Sequence, residues 1–555
     1  MKTITLNIDG QKIDYDTRED IGGIRLEDIV RDYEDRHKGK ICIANVGNKI
    51  RALDYVVDRD SDIKFIDTTE DDGMRVYFRV LSFILMMACK ELYCGKKIVI
   101  EHSLSNGLYC QIKNGIELTD EEVKRLKTKM CEIISKDIKI EKLQITRDEA
   151  IAIFTREQMY DKVELMKYRD EGKISIYKCG NHYDYYYGYM LPSTGWVDIF
   201  SIERHNHGII LFGPDNNDKN VPIEFIPQPK LANIYNETEK WSELMGIDTV
   251  IALNKVIENN EYGELIRIVE ALQDKKLAKI ADEISQNKKR IILIAAPSSS
   301  GKTSFARRLE IQLKVNNMIP ISISLDNYFL DREMTPLDEN GNIDFESIYA
   351  IDIAKFNEDL QKLIDGEEID DIRFDFASGK RIITGKKIRI GENHPIILEG
   401  IHGLNPILTK DIDDSQKFKI YISALTQLNL DNTNSVATRD LRLIRRIVRD
   451  HNFRSYSAEK TILQWEYVRR GEKENIFPFQ EEADVMFNSA CAYELSVLKV
   501  FARPLLEEID EESPAFIEAN RLLSFLRYFE ELKDTSDIPP TSITREFIGG
   551  SRIVD

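Results

Sequence analysis

KKRIILIA (288–295) leads into APSSSGKTS (296–304), and FARRLEIQL (305–313) follows. The aliphatic run predicts a buried strand, and the apolar spacing after Ser304 predicts a helix that packs one face. Between them a turn of small residues ends in Gly301, Lys302 and Thr303. Strand, loop and helix in that order are the setting a phosphate-binding loop requires. Backbone N–H groups there surround a phosphate, the helix start adds a favourable dipole, the lysine reaches the terminal oxygens and the hydroxyl holds Mg²⁺. Ala296, Pro297, Ser298, Ser299, Ser300, Gly301, Lys302, Thr303 and Ser304 are therefore the expected ATP-binding residues, with Thr303 also at the metal. Ala296 replaces the glycine usual at the first position, which alanine can do where φ is negative. The competing reading is a serine-rich turn that carries Gly-Lys-Thr by chance.

Strands and helices alternate from 289 onward, which predicts a parallel sheet with helices on both faces. IPISISLDNYF (319–329) ends a strand at Asp326, at the carboxyl edge where ligands collect in such sheets. PIILEG (395–400) ends another at Glu399, suited to hold Mg²⁺ directly or through water. Either carboxylate alone reads equally well as a solvated strand end or a helix cap. In TRDLRLIRRIVRDHNFR (438–454), Arg442, Arg445, Arg446 and Arg449 fall at helical spacing on one broad face, with Arg454 after them. A mobile lid that neutralises a transferring phosphate, a solvated basic helix and a contact for RNA phosphates all fit that pattern. Its distance downstream of the Glu399 strand fits a lid.

A chain of 555 residues exceeds what one core supports, so several domains are expected. Hydrophobic residues at 42% and charged residues at 31% suit folded domains. VLSFILMMAC (80–89), the longest apolar stretch, is too short to cross a bilayer, and MKTITLNIDG opens without the apolar core of an export signal. Seven cysteines without paired spacing support neither a disulfide framework nor a zinc knuckle and point to a reducing cytoplasm. A formal charge of -19 disfavours a dedicated nucleic-acid binder unless a basic face is segregated. Alternating segments around a helix near LEDIVRDYEDRH (26–37) predict a β-grasp-like module over 1–67, and mixed patterning predicts an α+β domain over 68–226. Residues 227–288 read as a helical connector, 289–510 as the phosphate-loop domain and 511–555 as a helical tail. HYDYYYGYM (182–190) reads as a strand with one packed face in preference to a base-stacking surface, and His102, His205 and His207 as surface residues in preference to metal ligands.

With these motifs in order, residues from about 289 to 510 resemble the uridine kinase and phosphoribulokinase family of P-loop kinases, and within it the uridine-cytidine kinases. The resemblance implies an ATP- and Mg²⁺-dependent enzyme that phosphorylates the 5′-hydroxyl of a uridine- or cytidine-like nucleoside. SLDNYF (324–329) is similar to the family's catalytic-aspartate segment, which implies Asp326 as general base beside Lys302, Arg446 and Arg449. ILEGIHG (397–403) matches the segment of the magnesium-linked glutamate, Glu399, and LRLIRRIVRD (441–450) the lid signature, which carries over Asp450 as well. NIDFESIYAID (342–352) is similar to the ribose-binding segment, with Glu346 in place of an aspartate, ILQWEY (462–467) aligns Gln464 with a substrate-contacting glutamine, and EEADVMFN (481–488) matches the closing strand. The implied substrate pocket comprises Phe329, Phe345, Glu346, Phe374, Phe376, Arg446, Arg454, Tyr456 and Gln464. FDFASGKR (374–381) departs from the family's base-reading segment: Phe374 replaces a tyrosine and Gly379 a histidine, while Tyr456 replaces an arginine. Those changes remove hydrogen-bond readout and leave the preferred base open.

The first 225 residues resemble the N-terminal part of threonyl-tRNA synthetase, a TGS domain followed by an editing-type domain, on the strength of EHSLSNGLYCQI (101–112) and YFRVLSFILMMACKEL (77–92). Arg79 and Phe83 stand where that family has metal-site histidines, and LPSTGWVDIF (191–200) lacks its cysteine and last histidine, so editing chemistry is not expected. RNA contact by this module and self-association of the chain stay open. Two alternatives to the nucleoside kinase also stay open: a kinase for another nucleoside or a sugar phosphate, and an ATP-sensing RNA-binding regulator without turnover.

Overall fold

The computed structural model describes residues 3–93, 96–113, 118–169, 172–338, 341–375, 378–391, 393–426 and 428–554. The alternating segments at the start of the chain form a five-stranded sheet in the order Gln11–Asp16, Thr3–Ile8, Ser61–Asp67, Ile41–Val46, Lys49–Ala52. Its first and last strands, Thr3–Ile8 and Ser61–Asp67, pair in parallel at the centre, as a β-grasp requires. The helix expected over 26–37 is shorter than its periodicity suggests. Only Leu26–Ile29 is α-helical, and two 3₁₀ turns follow at Val30–Asp32 and Glu34–Arg36. Arg25 at its start supplies no side-chain cap, so one of the usual stabilisers of a helix start is missing.

The apolar run at 80–89 lies within a 22-residue helix, Asp71–Leu92. That helix and Asp120–Ser135 share a core with an antiparallel sheet ordered Ser201–His205, Gly208–Phe212, Gly107–Lys113, Lys97–Leu104. The tyrosine run leaves its strand, His182–Asp184, after Asp184, and Tyr185 and Tyr186 turn into the core at 4% and 2% exposure. His102 is likewise buried, not at the surface, and stacks on Tyr235 with ring centroids 3.7 Å apart. Lys162, fully buried, pairs with Asp184 at 2.7 Å and with Asp431 at 3.2 Å, which ties this part of the chain to the one that follows.

From 291 onward the sheet is wholly parallel, with the order Ile321–Ser324, Ile396–Glu399, Ile291–Ala295, Lys417–Ser423, Val485–Asn488. The strand Ile291–Ala295 is central and buried along its whole length, which is why its sequence is uniformly aliphatic. Helices pack on both faces, and the connector is part of that packing. Leu265, Leu277 and Ile284 of the helix Tyr262–Gln286 join one core cluster with Ile292, Phe305 and Leu309. Arg308 on the helix after the loop reaches back to Asp274 at 2.8 Å and Glu270 at 3.6 Å. The tail expected as helical carries helices at Phe516–Leu526 and Arg545–Ile548, with irregular chain between them. Among the described residues no helix is long and apolar enough to cross a membrane.

Candidate active site

The loop between Ala295 and Lys302 turns out of the central strand into the helix Lys302–Val315. Ala296 is not among the residues with positive φ, so the missing glycine costs no strain there. Gly301 caps the helix at φ +76°, a left-handed value that favours glycine. Ser299 adopts φ +60°, uncommon for a side-chain-bearing residue. The hydroxyls of Ser299 and Ser300 are buried and have no hydrogen-bond partner among the described residues. A loop with unfilled buried donors beside a helix start is built to receive an anion.

Residues 296–303 line a cavity of about 590 Å³ together with Asp326, Phe329, Phe345, Glu346, Arg446, Arg449, Arg454 and Tyr456. Asp326 follows the strand Ile321–Ser324 and Glu399 ends the adjacent strand Ile396–Glu399, so two neighbouring strand ends deliver both carboxylates to one edge of the sheet. Lys302 Nζ stands 3.5 Å from Glu399 Oε2. Among the described residues that buried oxygen has no hydrogen-bond partner and faces only the Lys302 ammonium, so it is placed to face a cation, and Thr303 at the helix start lines the cavity. Burial works to lower the Lys302 ammonium, but Glu399 and Asp326 outweigh it and hold the group above its usual range. Burial pushes the Asp326 carboxyl up, with Glu399 adding to the effect and Lys302 opposing it. Glu346 is pushed up to about 8 by burial and by Glu472, against Arg446. Gly471 makes room for it: a Cβ there would lie 2.5 Å from the Glu346 Cβ.

Beyond Arg439, which pairs with Asp71 and Glu518, the arginines of the helix Thr438–Arg454 divide into two sets. Arg442 and Arg445 are buried. Arg442 pairs with Glu472, and Arg445 forms a bidentate pair with Glu494 at 2.7 and 2.6 Å and donates to the Ser299 carbonyl at 3.2 Å. Arg446, Arg449 and Arg454 face the cavity, and all three reach the fully buried Asp450, at 3.3, 2.7 and 3.6 Å. Arg446 also donates to Ser298 Oγ at 2.7 Å. Leu441, Leu443, Ile444, Ile447 and Val448 bury the other face, so the segment expected as a mobile lid is a helix docked into the core.

Gln464, expected at the substrate, is exposed and does not line the cavity. Phe374 lies behind the cavity wall, edge-on to Phe329 and Phe345 at 5.6 and 6.1 Å between centroids. Phe376 falls outside the described residues. The space beside Gly379 is filled by Arg332, whose Nε lies 2.7 Å from where a Cβ would stand. Besides the apolar Val468 and Ile476, three groups at the cavity had not been marked in the sequence. Ile401 closes the cavity next to Glu399, Glu472 accepts the Ser298 N–H at 2.8 Å, and Glu546 accepts the Ser304 N–H at 3.2 Å and its hydroxyl at 2.6 Å. Ile401 lies in a quoted motif, whereas nothing local to Glu472 or Glu546 announces a partner so far away in the chain.

Parallel sheet, central-strand phosphate loop and carboxylates at adjacent strand ends define a P-loop kinase domain. Residues 291–496 match the model of the Phosphoribulokinase / Uridine kinase family. The N-terminal part is similar to threonine–tRNA ligases. That of Clostridioides difficile (strain 630) is 29% identical over 205 residues, 37% of this chain and 32% of that protein. That of Rubrobacter xylanophilus is 27% identical over 217 residues, 39% of this chain and 33% of that protein. The chain thus spans about a third of the length of the curated relatives it matches. Among solved structures, a protein described as a possible uridine kinase from Bacillus stearothermophilus aligns at 15% identity with a TM-score of 0.24, covering 38% of this chain and all of that one. A protein described as a fructose transport system kinase from Silicibacter sp. TM1040 aligns at 15% identity with a TM-score of 0.28, covering 38% of this chain and 98% of that one.

Proposed function

We propose that the chain is an ATP-dependent kinase that phosphorylates the 5′-hydroxyl of a nucleoside, of the uridine or cytidine kind. The observation that carries the reading is that Asp326 opens onto the same cavity as the phosphate loop and Arg446, Arg449 and Arg454. Asp326 takes or orients the proton of the incoming hydroxyl, and burial raises its affinity for protons, which makes it a stronger base than a free carboxylate. Lys302 and the loop N–H groups hold the donor phosphates, and Arg446 and Arg449 balance charge on the transferring group. Thr303 and Glu399 are the residues that would hold Mg²⁺, which supplies charge neutralisation at the phosphate oxygens when bound. Phe329 and Phe345 offer apolar faces to a base, and Glu346 offers a carboxyl to sugar hydroxyls. Turnover with Mg-ATP across ribonucleosides, deoxyribonucleosides and sugar phosphates tests the reading, with Lys302→Ala as the blank. Phosphorylation of a sugar lacking a base, with no nucleoside turned over, would overturn the nucleoside assignment.

The protonation of Glu346 makes a separate, measurable claim. A carboxyl raised to about 8 in the fold and near its ordinary value when unfolded binds more protons folded than unfolded between those limits. Its contribution to stability is therefore full below about pH 4.5 and is lost as pH rises to about 8, with a slope approaching ~1.4 kcal/mol per pH unit. Glu346→Gln is expected to flatten that part of the stability–pH curve. Superimposable curves for the two proteins would remove Glu346 from the titrating set.

RNA contact by the N-terminal part is a second reading, favoured by one observation. A cavity of about 560 Å³ takes in Arg51, Arg79, Lys142 and Arg169, none of which has a carboxylate within ion-pair distance among the described residues. RNA affinity that falls steeply with added salt is the expected result, and binding insensitive to salt would count against it.

A further inference from the structure

The end of the chain closes over the phosphate loop. Ile543 and Phe547 are fully buried, and Ile543 Cγ2 lies 2.3 Å from where a Cβ on Gly301 would stand, so the loop glycine is also what lets this segment approach. Four contacts fasten it. Ser542 Oγ donates to Glu270 at 2.6 Å, Asn452 Nδ2 donates to the Phe547 carbonyl at 3.1 Å, Arg545 donates to the Thr535 carbonyl at 2.6 Å, and the Arg445 guanidinium lies 4.8 Å from the Phe547 ring centroid.

This fastening delivers Glu546 to Ser304, the third residue of the helix Lys302–Val315. The Ser304 N–H is one of the first-turn donors that have no partner inside a helix. In a loop of this kind such donors face the phosphates of a nucleotide, with the lysine further out at the terminal ones. Here a carboxylate oxygen already accepts both the N–H, at 3.2 Å, and the side-chain hydroxyl, at 2.6 Å. Glu546 also lines the same cavity as Lys302 and Asp326, and it adds to the field that holds the Lys302 proton. The hydroxyls of Ser299 and Ser300, earlier in the loop, are unfilled. The Ser304 end of the anion seat is therefore occupied from within the chain, as the Ser298 N–H is by Glu472, and the Ser299 and Ser300 hydroxyls between them are open.

We propose that Glu546 determines donor affinity by competing with the donor's sugar-proximal phosphate for Ser304. The proposal rests on the ATP-kinase reading above. A nucleoside triphosphate must dislodge the carboxylate from Ser304 to use that donor, and two anions cannot share it without repulsion. The apolar anchors Ile543 and Phe547 need not move for this, since the competition is between a side chain and a phosphate.

Binding of Mg-ATP to the full chain, measured by calorimetry, tests the idea with Glu546→Gln, Glu546→Ala and, as a control for net charge, Glu512→Gln at an exposed tail position. Both Glu546 variants are expected to bind ATP about tenfold or more tighter than wild type, and Glu512→Gln to match wild type. Unchanged or weaker binding in both Glu546 variants, with ATP still bound by wild type, would overturn this proposal alone and leave Glu546 as a helix cap. If neither wild type nor any variant binds ATP, the kinase reading falls together with it. A purely structural role predicts the opposite sign: lower melting temperature and no gain in affinity.

Discussion

Asp326→Asn is expected to lower turnover by roughly 10²–10⁴-fold while leaving ATP affinity nearly intact, because it removes the proton acceptor and keeps the shape. The side chain is half-buried beside Lys302 and Glu399, so the substitution also removes one of three negative charges that hold the Lys302 proton. Steady-state rates with the best acceptor, together with ATP binding and thermal melting of the variant, separate the two effects. Turnover within a few-fold of wild type would show that the acceptor hydroxyl is readied by another group, with Glu346 next in line on the same cavity wall.

The second large effect concerns stability. Arg445 and Glu494 are both wholly buried, and their two hydrogen bonds of 2.7 and 2.6 Å are reinforced by donation from Arg445 to the Ser299 carbonyl and the Ser489 carbonyl. Removing one member leaves an unpaired charge in the core, which costs about 3–5 kcal/mol. Glu494→Ala should therefore shift the urea midpoint of the kinase part strongly downward. Arg454→Ala, which removes an exposed partner 3.6 Å from Asp450, should shift it by less than about 1 kcal/mol. Equal shifts in the two variants would contradict the division of the arginines into structural and cavity-facing sets. Because Arg445 holds the Ser299 carbonyl, Glu494→Ala should also loosen the loop and raise the KM for ATP.

The loop was legible in the sequence because everything that defines it is contiguous: a buried strand, small turn residues and a helix start. Asp326 and Glu399 were legible because parallel strands end at one edge, so strand-end carboxylates fall together by topology. The arginines were only half legible. Helical spacing brings Arg442, Arg445, Arg446 and Arg449 within reach of one another but cannot say which are buried. That is decided by Glu472 and Glu494, 30 and 49 residues from their partners. Gln464 was misplaced for the same reason, since its motif fixes the helix and not the face it shows. The tail was read as helical, yet Ser542 is fully buried and bonded to Tyr493 and Glu270, far away in the chain, a role that composition cannot reveal. Glu546 lies 242 residues from Ser304, beyond any local pattern.

Glu270 accepts hydrogen bonds from Tyr493 at 2.7 Å and from Ser542 at 2.6 Å, and faces Arg308. One carboxylate thus knots together the stretch before the kinase sheet, the sheet's closing helix and the chain end. An excised fragment bounded by the family match would be cut on both sides of that knot, leaving Tyr493 and Arg308 facing water. Portability of the catalytic unit should accordingly begin well upstream of the phosphate loop and run almost to the last residue.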